Sequence, residues 1–340
     1  MWTRPARSSR PAAATPERPP VPDAVRRVVI VGAGTMGHQI AFQCAGHGVD
    51  VVLYDIEAVA LDSAQGRIAT YAQGLIADGV ITAEVRDEAM TRITMTSDPA
   101  SAAADADLLS EAVPEDPKLK GRVLAQFDAL CPPRTIFATN TSTLLPSQFA
   151  AATGRPGHVI ALHFHIPVWV ANLADVMPHT GTAPEVTEVV LAFARRIGQV
   201  PIELRMEHNG YVFNAMFSAV NREAITMAQQ GVASIQDIDR SWMHVTKWPH
   251  GPFGGLDAIG LDTVWQITDY WARQLPSDVQ LRRNATFLKA YIDRGALGVK
   301  TGQGFYSYPE PAFARPGFIE RAGRPAHHDA AERVHKRPGS

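Results

Sequence analysis

Apolar positions along the chain follow two periods at first and then settle into one. Val28-Val29-Ile30-Val31 is a short apolar run closed by glycine, the pattern of a strand buried on both faces. Helical spacing follows from about Met36 to Gly46, and Val51-Val52-Leu53-Tyr54 is a second buried run. Strand, helix and strand with short links form a βαβ unit, which requires a parallel sheet. Leu61, Ile68, Tyr71, Leu75 and Ile76 then recur at helical spacing up to Gly79, and Thr82 opens a further helix to about Arg92. This pair reads as a helical hairpin inserted into the sheet domain. Strands are expected next at 108–113, 135–139, 159–164, 175–177 and 200–204, with helices at about 118–130 and 185–196.

Beyond Asn209-Gly210 the period becomes helical throughout, to about Ile292, with breaks at Gly231, around Pro249 to Pro252, and at Pro276. The expected domains are therefore a sheet domain over 27–207 and an all-α domain over 208–309, with the boundary near 206–209.

Composition supports two packed cores: 340 residues, of which 46% are hydrophobic and 19% charged. No apolar stretch is long enough to span a membrane. Cys44 and Cys131 are too few for a disulfide framework or a cysteine-rich zinc site. The net charge of -2 argues against a nucleic-acid partner, but it hides a split. Residues 1–27 carry +4 and residues 310–340 carry +2, which leaves -8 on 28–309. The first 22 residues also hold six prolines. Residues 1–26 are expected to be a disordered tail and 310–340 a flexible one, since neither buries enough apolar surface to offset ordering entropy. The first segment lacks the apolar run of a secretory signal, so a cytoplasmic protein without a membrane partner is expected.

Gly32-Ala33-Gly34-Thr35-Met36-Gly37 is a GxGxxG that follows a strand and opens a helix, which is the context the dinucleotide fingerprint requires. Gly32 permits the tight turn, Gly34 lets the backbone approach a pyrophosphate, and Gly37 lets helix and strand pack closely. Thr35 and Met36 bring free backbone N–H groups and the positive end of the helix to the phosphates. Asp55 closes the second strand, 18 residues after Gly37, where a carboxylate accepts the ribose hydroxyls. It would repel a 2′-phosphate, so NAD is the expected cofactor. The expected fold class is α/β: an N-terminal Rossmann doubly wound sheet with an inserted helical hairpin, plus an all-α C-terminal domain.

Further segments occur in order: Asn140-Thr141-Ser142-Thr143, His163-Phe164-His165-Ile166-Pro167 with Asp175 beyond it, Gly210-Tyr211-Val212-Phe213-Asn214, the stretch from Gly251 to Asp262, and Gly298 to Tyr306. With the fingerprint, these resemble the 3-hydroxyacyl-CoA dehydrogenase family, including the 3-hydroxybutyryl-CoA dehydrogenases, from about Arg27 to Tyr308. The resemblance implies NAD-dependent, reversible oxidation of a 3-hydroxyacyl thioester, with a short-chain CoA ester as the expected substrate, to the 3-keto form. It implies His163 as the catalytic histidine and Asp175 as its carboxylate partner. Ser142 and Asn214 match polar residues that bind the substrate oxygen and place the histidine. Glu115, Lys120 and Asn140 match positions at the cofactor. Arg67, on the hairpin that walls the CoA site in the family, is the candidate for substrate phosphate. The family's helical domain forms a homodimer, and Phe213, Phe217, Trp242, Trp248, Trp265 and Trp271 suit either a dimer face or a plain core. The chemistry agrees, because a histidine with an ordinary pKa of about 6.5 suits removal of an alcohol proton.

Two departures bear on the substrate. The family usually has glutamate at Asp175, and often asparagine at Ile166. Trp169 resembles a branch with an aromatic residue there. No lysine stands between Asp55 and Lys118, which suits a carrier-protein thioester or a free hydroxy acid as alternatives to free CoA. A non-catalytic NAD-binding dimer is the alternative of another class. A His163-x-His165 pair also suits a metal, with His179 as a third ligand, but no recognisable motif places that ligand, and no metal is expected.

Overall fold

The computed structural model describes residues 25–320. Most of the two expected tails, 1–24 and 321–340, lies outside the described residues. The chain divides into two compact units between Val212 and Phe213. The division falls after the expected boundary because Tyr211 is buried in the first unit, packed with Ala161, Met177 and Leu204.

The first unit is built on an eight-stranded sheet: β1 (Arg27–Val31), β2 (Asp50–Tyr54), β3 (Ile93–Thr96), β4 (Leu108–Glu111), β5 (Ile136–Thr139), β6 (Val159–Phe164), β7 (Leu173–Pro178) and β8 (Val200–Glu203). The spatial order is β3-β2-β1-β4-β5-β6-β7-β8. Every neighbouring pair is parallel except β6 with β7. Side-chain alternation along β1 sends Val28 and Ile30 into one core and Val29 and Val31 into the other, so both faces are covered. That is why β1 reads as a continuous apolar run. The edge strand β3 was not expected. Its Ile-Thr-Met-Thr sequence is only half-buried and lacks such a run.

Helices α1 (Gly37–Gly46), α2 (Ala58–Ala77), α3 (Ala83–Arg92), α4 (Pro99–Ala103), α5 (Pro117–Asp128) and α6 (Pro184–Arg196) fill the connections. Thr82 caps α3 and Asp116 caps α5, each accepting a backbone N–H from the first turn. The order reverses between β1 and β4, and the turn at Gly32 leaves β1 at that switch point, where open α/β sheets bind ligands.

The second unit contains α7 (Phe213–Gln229), α8 (Ile235–Thr246), α9 (Pro252–Ile259), α10 (Leu261–Gln274) and α11 (Val279–Ile292) around Ile225, Phe253, Leu256, Leu261 and Leu288. Two buried aspartates hold it together. Asp239 accepts the Phe253 and Gly254 N–H groups at the start of α9 and the Tyr306 hydroxyl. Asp257 accepts the Phe305 and Tyr306 N–H groups and the Tyr308 hydroxyl. Gly298 and Gly304 pass so close to Asp257 that a Cβ at either would lie within 2.2 Å of it. Residues 310–320 depart from the expected flexible tail. Phe318 is buried under the Arg240 guanidinium, and its carbonyl accepts Arg240 Nε at 2.6 Å.

Candidate active site

The glycine turn is shaped by close contacts. Gly32 has φ +107°, and a Cβ there would stand 2.8 Å from the Ala112 carbonyl oxygen beyond β4. A Cβ at Gly37 would stand 1.8 Å from the Gly32 oxygen. Gly34 differs, since its Cβ would meet no protein atom within 4 Å. The open side of the turn is thus at the glycine that a pyrophosphate must approach. No side chain caps the first turn of α1, so its N–H groups face that opening without a protein acceptor from a side chain. Asp55 braces the turn from the end of β2: Oδ2 accepts Ala33 N–H at 2.8 Å and Oδ1 accepts Glu57 N–H at 3.0 Å. An open Gly34, an uncapped helix and a carboxylate at the second strand fit NAD.

Arg67, expected to meet CoA, is turned to this loop, where its guanidinium donates to the Ala33 carbonyl at 2.6 Å. Lys120, expected at the cofactor cleft, is 1% exposed. Its ammonium contacts Glu111 at 2.7 Å and Glu115 at 3.3 Å, and donates to the Val113 carbonyl. Glu111 is wholly buried on β4, and the inward-turned ammonium supplies the counter-charge that its carboxylate needs. Glu115 in turn organises the loop after β5. Its Oε1 accepts the Thr141 hydroxyl, the Ser142 N–H, the Thr143 N–H and the Thr143 hydroxyl. Burial alone would raise the Glu115 pKa, but Lys120 and these donors hold it below the ordinary carboxylate value. Asn140, also expected at the cofactor, directs its Oδ1 at the Phe164 N–H, 2.8 Å away, and ties the ends of β5 and β6 together.

The loop so fixed presents Ser142 to His163. Ser142 Oγ lies 3.2 Å from His163 Nε2, and Asp175 Oδ2 lies 3.2 Å from His163 Nδ1. His163 and Asp175 are register partners on β6 and β7. Burial lowers the His163 pKa more than Asp175 raises it, so the imidazole is neutral near pH 7. Burial opposes ionisation of Asp175 as well, but the hydrogen bonds from His163 and His165 outweigh it and keep the carboxyl below its ordinary value. The pattern suits proton abstraction: a neutral base, a carboxylate to orient it and to stabilise its charged form, and a hydroxyl at the reacting nitrogen.

Asn214 lies in the second unit, on the first turn of α7. Ile166, where the family often has asparagine, is exposed. His179 is not a third metal ligand. One ring nitrogen accepts the Gly181 N–H of its own turn, and the other meets the Pro156 carbonyl from the segment before β6. The histidine pair converges on Asp175, and ligand-type atoms of His163, His165 and Asp175 lie within 4.8 Å of one another.

Two further residues, not among the expected catalytic or cofactor residues, belong to the site. Tyr211 stacks on His163 with centroids 4.6 Å apart and planes 6° from parallel, and its hydroxyl donates to the Thr141 carbonyl at 2.7 Å. It has φ 54°, and the Asn209-Gly210 turn before it was the visible sign of an unusual backbone there. Burial keeps the phenol neutral by raising its pKa well above the ordinary value. The second is His165, whose two-residue offset from His163 already implied a shared face.

Comparison with known proteins agrees with this geometry. Residues 27–207 match the family model for the 3-hydroxyacyl-CoA dehydrogenase NAD binding domain, and residues 210–308 match its C-terminal domain. A probable 3-hydroxyacyl-CoA dehydrogenase of Caenorhabditis elegans is 34% identical over 288 residues, 84% of this chain and 96% of its own. A solved diketoreductase, described as acting on dicarbonyl compounds, is 42% identical with a TM-score of 0.76, covering 84% of this chain and 99% of that one. The (S)-3-hydroxybutyryl-CoA dehydrogenase of Ralstonia eutropha is 31% identical with a TM-score of 0.76, covering 84% and 100%.

Proposed function

Since the chain belongs to the 3-hydroxyacyl-CoA dehydrogenase family, we propose that it interconverts a short-chain 3-hydroxyacyl-CoA and its 3-ketoacyl form with NAD. The observation that carries this reading is the hydrogen-bonded line from Ser142 through His163 to Asp175. It stands on the sheet whose β1 end forms the dinucleotide turn.

Bound NAD supplies the hydride acceptor in oxidation and, reduced, the hydride donor in the reverse direction. The turn at Gly32, Gly34 and Gly37, with Thr35 and Met36, holds the pyrophosphate, and Asp55 holds the ribose. In oxidation, His163 Nε2 takes the proton of the substrate hydroxyl. Asp175 keeps Nδ1 protonated, so that Nε2 is the basic nitrogen, and stabilises the imidazolium that forms. Ser142 binds the substrate oxygen. Glu115 and Lys120 serve from behind, by holding the Ser142 loop, and Asn140 and Tyr211 fix the surroundings of His163. In reduction, the imidazolium returns its proton to the developing alkoxide.

A second reading has specific support: a free dicarbonyl or hydroxy acid, or a carrier-bound acyl group, in place of the CoA ester. The three arginines of α2 and α3 are already engaged. Arg67 is bonded to Ala33, Arg86 is paired with Asp87, and Arg92 with Asp50. The 42%-identical diketoreductase points the same way.

The helical unit is proposed to carry the homodimer contact. Phe213, Phe217, Trp242, Trp248, Trp265 and Trp271 are half-buried or exposed in the single chain, as a covered face requires. No helix among the described residues is long and apolar enough to cross a membrane, and the cytoplasm is the proposed location.

The test is NADH oxidation with acetoacetyl-CoA, acetoacetyl-pantetheine, a carrier-bound acetoacetyl group and free dicarbonyl acids and esters. Turnover of the CoA ester is expected. Turnover confined to another member of the panel moves the assignment to that carrier or acid. No turnover with any of them leaves a non-catalytic NAD-binding protein.

A further inference from the structure

Asp175 is wholly buried, and only one of its oxygens is used. Among the described residues Oδ1 has no hydrogen-bond partner. Oδ2 receives two imidazoles: His163 Nδ1 at 3.2 Å and His165 Nε2 at 2.9 Å. The shorter contact is to the histidine that does not face Ser142. The two rings meet edge to face, with centroids 4.7 Å apart and planes at 76°, so they reach the same oxygen from different directions.

A carboxylate turns about a single bond to Cβ, and a lone contact at 3.2 Å would hold this one loosely. The second N–H fixes that rotation. It also shares the negative charge of Oδ2, so less of it acts on His163. We propose that His165 is a positioning residue for His163, acting through the shared oxygen of Asp175. This rests on the dehydrogenase reading above, in which His163 is the base.

The arrangement sets both tautomers. For Asp175 to accept from each ring, His163 carries its proton on Nδ1 and His165 on Nε2. His163 Nε2 is then the acceptor that faces Ser142. The other ionisable groups around His163 are Glu115 and Tyr211, with Glu111 behind them neutralised by Lys120. None of these hydrogen-bonds Asp175, so His165 is the group through which its charge is set.

The experiment compares wild type with His165→Phe, which keeps a ring but loses the donor, and His165→Gln, which returns an N–H near the position of Nε2. Loss of the outer partner of a metal-bound histidine costs about 10–100-fold, and the same order is expected for a catalytic histidine held in the same way. For His165→Phe, kcat is expected to fall by that order, with the KM for both substrates nearly unchanged. The acid limb of the kcat/KM profile for oxidation moves to higher pH, because Asp175 then acts on His163 alone. His165→Gln recovers most of kcat and restores the limb. A His165→Phe enzyme with the wild-type kcat and profile overturns the proposal, as does a His165→Gln enzyme no better than it.

Titration of isotopically labelled His163 by NMR gives a readout that needs no turnover. His163 should titrate at higher pH in His165→Phe than in wild type, and an unmoved titration overturns the proposal even where no substrate has been found. Failure across the substrate panel with a shifted titration would instead sink the dehydrogenase reading alone. Activity lost to a chelator and restored by zinc also overturns the proposal, because the three groups would then be metal ligands. Unchanged melting and NADH binding verify that each variant is folded.

Discussion

His163 and Asp175 face each other directly across β6 and β7, the one antiparallel pair in an otherwise parallel sheet. Directly opposed residues have Cβ atoms about 5 Å apart and point to the same side, so short side chains can touch. That explains how aspartate serves where the longer glutamate is usual. The strand register brings the carboxylate to the ring, and the remaining slack appears as the 3.2 Å contact.

The lowered pKa of His163 fixes the pH dependence of the two directions. Burial favours the neutral ring, so oxidation should be constant near neutrality and fall as pH drops below the ordinary 6.5 through the depressed value. Reduction needs the imidazolium and should rise over that same interval. Profiles measured in both directions test this, and parallel profiles would contradict His163 as the group that exchanges the proton.

Two glycines of one turn should fail differently. Gly34→Ala adds a methyl group to open space, so melting should be unchanged while NADH affinity falls by roughly 10-fold or more as the pyrophosphate is crowded. Gly37→Ala drives a Cβ onto the Gly32 oxygen and should destabilise the first unit by about 1–3 kcal/mol or more. Melting and NADH titration of the two variants separate the effects.

Lys120→Met should behave as a broken buried ion pair. It leaves Glu111 buried without its cation, an expected loss of about 3–5 kcal/mol. Glu115 loses its counter-charge as well, so the Ser142 loop should loosen and kcat fall. Adding Glu111→Gln should recover part of the stability in denaturant unfolding. Equal stability of the single and double variants would show that the pair is not a unit.

Asp239 makes a second, independent prediction about pH. Burial pushes its pKa up to about 6, although two backbone N–H groups and Tyr306 oppose this. The folded chain therefore holds this proton more tightly than the unfolded chain. Its contribution makes stability fall as pH rises from the ordinary 3.8 to about 6, and adds no slope above that. Asp239→Asn should remove that slope, and Asp239→Ala should cost about 2 kcal/mol through the lost cap of α9. Unfolding across this range with an unchanged slope in Asp239→Asn would refute the assignment.

Much of the molecule was legible in the chain. Local order was plain because its causes are local. Continuous apolar runs mark strands covered on both faces, glycines mark turns that only they can make, and Thr82 caps the helix that follows it. The dinucleotide turn with Asp55, and the ordered motifs carrying Ser142, His163 and Asp175, were visible for the same reason. The edge strand β3 was not, since half-burial leaves no continuous apolar signal.

What the fold alone decided was direction and pairing. Lys120 and Arg67 looked like ligand-facing cations, yet one is charge-balanced inside by Glu111 and the other is bonded to Ala33. Residues 310–320 looked like tail until Arg240 covered Phe318. His165 read as half of a His-x-His pair for which no motif placed a third ligand, and folding set its Nε2 2.9 Å from the same Asp175 oxygen that meets His163. A sequence fixes which groups are present and their local geometry. Which of them meet across strands depends on register and burial, which exist only once the sheet is assembled.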